Sequence, residues 1–196
     1  MRPDLRDFDF AAVQRALDFL ESPPRSQSCD LLADVMLLIE GDCLWIATKE
    51  ARMPVDDWPQ MESEQMAFLP LPGMLRLDGG WTLRSEYIEN DSKNSLIEEV
   101  KRDPFQAVVD MESLSFPLEV RTRRHGDRFK PLGMGGHSVK LSEFMINEKM
   151  VRRAREGWPL VLSAGKIVWI PGVRLSHSYR VTESTRQLVH LRVSKE

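Results

Sequence analysis

Cysteine is scarce: Cys29 and Cys43 are the only two, and they match no metal-ligand spacing. Both read as reduced thiols, which points to the cytoplasm. No apolar run approaches the ~20 residues that span a bilayer, and the opening MRPDLRDFDF has no signal-peptide core, so no membrane is expected. The four histidines, at 125, 137, 177 and 190, are scattered without ligand spacing, so no metal is expected. Catalytic loops are missing too. Gly165-Lys166 is followed by Ile167 rather than Ser or Thr, and the next glycine upstream, Gly157, is too far away for a Walker loop. The GMGG at 133–136 does not complete GxGxxG, and no GxSxG nucleophile string occurs. No residue is nominated as catalytic.

What is present is ordinary bulk with an uneven charge. The 196 residues suit one large or two small domains, and 42% hydrophobic with 29% charged residues is usual for a globular protein. The net charge of −3 conceals a division. Residues 1–120 hold 11 Lys/Arg against 24 Asp/Glu, a balance of −13; residues 121–196 hold 16 against 6, a balance of +10. Such asymmetry suits a polyanionic partner for the basic part, or two oppositely charged domains that attract one another.

Periodicity predicts an α+β chain. Phe10, Val13, Leu17 and Leu20 recur at helical spacing, so 8–22 reads as an amphipathic helix, favoured at its start by Asp7 and Asp9 and stopped by Pro23-Pro24. Hairpins are expected at 35–47 about Glu40-Gly41-Asp42 and at 74–87 about Asp78-Gly79-Gly80, with an irregular loop between them. A short helix is expected at 94–103. In the basic part, 117–124 alternates, with Leu118, Val120 and Thr122 on one face and Glu119, Arg121 and Arg123 on the other. A helix burying Leu141, Phe144 and Met145 follows, extended through 151–156. A hairpin at 160–170 turns at Ala164-Gly165, and 189–193 is a last strand. Trp45, Trp81 and Trp169 lie in apolar strands and read as core. The domains expected are an acidic α+β domain, 1–116, built from one amphipathic helix and hairpins, and a basic, small, mainly-β module with one or two short helices, 117–196.

The run VRTRRHGDRFKPLGMGG, 120–136, holds five fixed cations, one acid and four glycines. A catalytic glycine loop has no motif behind it; a phosphate-binding surface and an ordinary solvated turn both stay open. On an extended strand Arg121 and Arg123 share a face about 7 Å apart, a step like that between phosphates of one nucleic-acid strand. Arg124, Arg128 and Lys130 add charge in the loop behind, and Arg suits forked hydrogen bonding to phosphate. Asp127 has a structural reading as well, pairing with a nearby arginine to brace the loop. Lys140 follows the loop, and Arg152 and Arg155 sit at i, i+3 of the expected helix, where charge balance with Glu148 and Glu156 is the competing reading. Arg174 and Arg180 flank a loop at 175–179 and read singly as structural.

These blocks together resemble the C-terminal region of tRNA(Ile)-lysidine synthetase. The family pattern runs VRxRRxGDRFxPLGMxG, KLxxFxxxxK, an Arg-rich turn into xPLL, xIVWxPGxR and RVTxxT, here Val120–Gly136, Lys140–Lys149, Arg152–Val161, Lys166–Arg174 and Arg180–Thr185. PGMLRLDGGWTLRSE and AVVDMESLSFPLEVR are similar more loosely to the domain that precedes this module. Val151 stands where the family commonly has Pro, and Ser138-Val139 replace residues that are often basic. The resemblance implies a β-rich module also found in phenylalanyl-tRNA synthetase and a tRNA-gripping role, with Arg121, Arg123, Arg124, Arg128, Lys130, Lys140, Arg152 and Arg155 as the contacts. It implies tRNA(Ile) as partner, together with a catalytic domain in cis or in trans that carries an SGGxDS loop. That loop is missing from this sequence, so ATP, lysine and magnesium belong to that other domain and no cofactor is expected here. The competing function is an interaction or assembly domain without an RNA role, with a second copy of the chain as an open alternative partner.

Overall fold

The computed structural model describes residues 10–21, 28–32, 34–40, 43–62, 66–88 and 93–196. It divides into two compact units, residues 1–54 and 55–196. In the first, helix α1 (Phe10–Glu21) precedes an antiparallel sheet of β1 (Ser28–Asp30), β2 (Val35–Glu40) and β3 (Cys43–Thr48), in that order. The expected hairpin is there, in register from Val35↔Thr48 to Glu40↔Cys43. The helix is there too, but it turns a different face to its core. Phe19 packs with Leu31 and Leu37, and Ala12 is buried, whereas Phe10, Val13, Leu17 and Leu20 are exposed. One small sheet covers one helix face, and the Ala12-Ala16-Phe19 stripe takes it. Asp7, Asp9, Pro23-Pro24 and Gly41-Asp42 lie outside the described residues.

The second unit contains β4 (Met66–Leu69), β5 (Gly73–Arg76), β6 (Trp81–Ile88), α2 (Lys93–Val100), β7 (Gln106–Asp110), β8 (Leu118–Arg121), β9 (Arg128–Phe129), β10 (Val139–Lys140), α3 (Leu141–Asn147), β11 (Leu160–Ser163), β12 (Lys166–Ile170), β13 (Arg174–Leu175) and β14 (Leu188–Lys195). One sheet runs β13-β12-β11-β8-β4, another β5-β6-β14-β7, and β9 and β10 form a small hairpin. The main core lies between the two large sheets: Leu69, Leu118, Val120 and Val161 of the first meet Leu83, Val109, Val189 and Leu191 of the second. A second core covers the other face of the five-stranded sheet, where Leu160, Leu162 and Ile170 meet Phe129, Leu141, Phe144 and Met145. β11 and most of β12 are therefore buried on both sides and read as continuous apolar runs rather than alternations.

This layering explains three departures from the sequence reading. β14 lies between β6 and β7, and β8 between β11 and β4, so strands from both sides of 116/117 share both sheets. The compact units accordingly divide at Pro54/Val55. Strands β4, β7 and β9–β10 stand where loop was expected or where nothing was assigned. Finally, α3 stops at Asn147. Lys149 takes a left-handed backbone (φ 55°), with its N–H on the Ile146 carbonyl and the Met150 N–H on that of Met145. This is the paired hydrogen bonding of a Schellman end, with Met145 and Met150 in one core. Residues 152–154 then form a separate 3₁₀ turn rather than an extension of α3. The fold class, α+β with strands dominant and helices few and short, is as expected.

Candidate nucleic-acid interface

β8 delivers its last side chain, Arg121, opposite Leu160 of β11, on the face covered by the second core. Alternation predicted this face to be solvent; the layer of α3 and the β9–β10 hairpin makes it interior. The side chain is only 8% exposed and is neutralised by Asp127 through a forked pair, Nη1 to Oδ2 at 2.8 Å and Nη2 to Oδ1 at 2.9 Å. Asp127 also accepts the Arg124 N–H at 2.7 Å, closing a tight turn in which Gly126 has φ 87°. Its backbone carbonyl accepts the Leu141 N–H at 2.9 Å, at the start of α3. Burial alone would raise the Asp127 carboxyl; hydrogen bonds from Arg121 and from the Arg124 backbone, with the charges of both arginines, outweigh it and hold the group below the ordinary carboxylate range. Arg121 is thus a brace and not an exposed contact, and Asp127 fills the structural role foreseen for it.

Arg123 is also partly withdrawn. It is half-buried and paired with Glu156. Arg155 lies close by: burial first, then the charges of Arg123 and Arg152, pull its pKa down, and its Nε donates to the Met150 carbonyl at 2.8 Å. The expected charge balance with Glu156 is therefore met by Arg123, whereas Glu148 pairs with Arg174 at 3.1 Å.

Of the eight cations nominated as contacts, Arg124, Arg128, Lys130, Lys140 and Arg152 are exposed. Arg124 projects from the braced turn. Arg128 and Lys140 are cross-strand partners in the β9–β10 hairpin, so their side chains leave the same face about 5 Å apart. Arg128 is steadied there by Ser138, donating to its carbonyl at 3.0 Å and its hydroxyl at 3.3 Å. Lys140 meets Glu143 at 3.3 Å, but both are about 60% exposed, and such a pair is worth little in water. Arg153, in the same arginine-rich segment but not nominated as a contact, lies 5.3 Å over the Trp58 ring; no local pattern links residues so far apart in the chain. Among the described residues, no group of three or more His, Cys, Asp or Glu is placed to hold a metal ion, and no helix is long and apolar enough to cross a membrane.

The chain is similar in sequence and in fold to known proteins. Residues 118–193 match the family described as TilS substrate C-terminal domain. A tRNA(Ile)-lysidine synthase of Symbiobacterium thermophilum is 31% identical over 188 residues, 94% of this chain and 37% of that relative. The chain covers 22% of the corresponding synthase of Geobacillus kaustophilus, so it spans well under half the length of these relatives. A crystal structure of a TilS C-terminal domain superposes with a TM-score of 0.56 at 34% identity, covering 67% of this chain and 98% of that one.

Proposed function

Because the chain belongs to the TilS C-terminal family, as a C-terminal part of a tRNA(Ile)-lysidine synthase, we propose that its basic hairpin grips tRNA through phosphate and shape contacts. The observation that carries this reading is the set Arg124, Arg128, Lys130 and Lys140, exposed on one turn-and-hairpin whose base is locked by the buried Arg121–Asp127 pair. An A-form stem exposes phosphates and 2′-hydroxyls rather than a readable major groove, so a fixed array of cations suits it better than a base-reading helix. Arg152, with Arg123 and Arg155 beside Glu156, forms a second and more neutralised patch. On this reading the chain supplies grip rather than chemistry. ATP, lysine and magnesium are handled by a catalytic domain in cis or in trans, and the tRNA is tRNA(Ile).

A second reading, assembly without RNA, has one observation in its favour: Phe10, Val13, Leu17 and Leu20 are exposed together along α1. One experiment separates the two. Binding of tRNA transcripts is titrated across salt for the wild type and for Arg124→Ala/Arg128→Ala/Lys130→Ala. We expect weaker binding, and a log–log salt slope shallower by about 0.7–0.9 for each phosphate contact removed. Unchanged affinity and slope would sink the hairpin as the contact surface. Self-association of the wild type with no tRNA retained at physiological salt would favour assembly.

A further inference from the structure

The second unit has a cleft of about 420 Å³ beside the hairpin. We propose that it holds one unpaired nucleotide of a bound RNA, base against its apolar floor and phosphate on its rim; this rests on the tRNA-gripping reading above. The floor and walls come from Val108 of β7, Ile97 and Val100 of α2, Leu132 of the glycine loop, Val173 and Val181. The rim carries Lys101, Arg174 and Arg180, and none of the fourteen lining residues is an Asp or Glu. An apolar slot of this size suits a planar ring. Lys101 and Arg174 hold only surface ion pairs, with Glu98 at 2.6 Å and Glu148 at 3.1 Å, which are worth little in water, so the three cations suit an anion attached to that ring.

The cleft adjoins the proposed backbone track. Leu132 donates its N–H to the Leu175 carbonyl at 2.8 Å, and His177 donates to that of Lys130 at 2.7 Å, tying the loop behind Arg128 to the segment that carries Arg174 and Arg180. A strand lying on Arg128 and Lys130 therefore reaches the rim without leaving the surface. Arg180 is set by donating from Nη1 to the His177 carbonyl at 2.8 Å. The cleft's one side-chain amide, Gln106, already donates to Asp103 at 2.9 Å and meets His190 Nε2 at 2.8 Å. Binding then depends on base area and phosphate charge rather than on which base is present.

The test compares a short RNA duplex, blunt or with a single-stranded extension of about four nucleotides, by anisotropy on the full chain. We expect the extended RNA to bind about tenfold more tightly, a difference of about 1.4 kcal/mol. Val181→Trp, which fills the cleft, should abolish that advantage and leave blunt-duplex affinity unchanged. Arg174→Gln, which gives up only an exposed ion pair, should reduce the advantage several-fold and guards against a folding defect in the first variant. Equal affinity of the two RNAs for the wild type, or an advantage that survives both variants, overturns the proposal. If neither RNA binds, the tRNA-gripping reading fails; the cleft is then judged by methyl NMR shifts of Ile97, Leu132 and Val181 on adding a nucleoside monophosphate, and their absence overturns it too.

Discussion

The Arg121 guanidinium lies beneath the layer formed by α3 and the β9–β10 hairpin, and Asp127 meets it with both carboxylate oxygens. Removing one partner of such a pair leaves a buried charge uncompensated, so Asp127→Asn should destabilise the protein by about 3 kcal/mol in urea unfolding. It should also weaken tRNA binding several-fold, since the same carboxylate fixes the turn that carries Arg124. The pH dependence has a definite sign. Asp127 is depressed below the value near 3.9 that it has in an unfolded chain, so its contribution is complete above that pH and fades as pH falls through the lower folded value. Wild type and Asp127→Asn should therefore differ most near neutrality and converge in acid; a constant difference across pH would refute the ion-pair account.

At the scale of elements, ends and turns carry the information. Lys149 occupies a left-handed position where a helix end favours glycine. A left-handed L-residue costs about 1–2 kcal/mol, and glycine gives back about 0.5–1 in unfolded-chain entropy, so Lys149→Gly should raise stability by roughly 0.5–1 kcal/mol. A thermal melt reads the sign, and a fall in midpoint would mean that the lysine side chain contributes more than its backbone costs. The hairpin of β11 and β12 was legible from its turn: Ala164 and Gly165 both have positive φ, as two-residue hairpin turns require. The β9–β10 hairpin was not. It is two residues a side, and its partners are separated by a loop of glycines that carries no alternation.

For the whole molecule, the position of β14 decides what can fold alone. It is paired on both edges by strands from 81–110, and the main core draws on both sheets. A fragment of residues 55–196 should unfold in one cooperative transition and keep the tRNA affinity of the full chain. A fragment of 117–196 leaves β14 without either neighbour and exposes half of the core, so it should show no cooperative urea transition. If the shorter piece unfolds cooperatively, the two-sheet account of the core is wrong.

Turn residues, strand propensity and charge counts are local properties, set by neighbours a few positions away. The sequence by itself was therefore enough for the first two hairpins, the apolar strands of the core, the division of charge and the motif blocks of the family. Which face of a strand or helix is covered is a non-local property. It depends on which layer comes to lie on it, and that layer is assembled from distant segments. Tertiary structure alone turned α1 onto Ala12 and Phe19, drew Arg121 inside while leaving Arg124 and Arg128 in solvent, and gathered Lys101, Arg174 and Arg180 around one cleft. The alternation in β8 was real; solvent was expected on the side where α3 and its hairpin happen to pack.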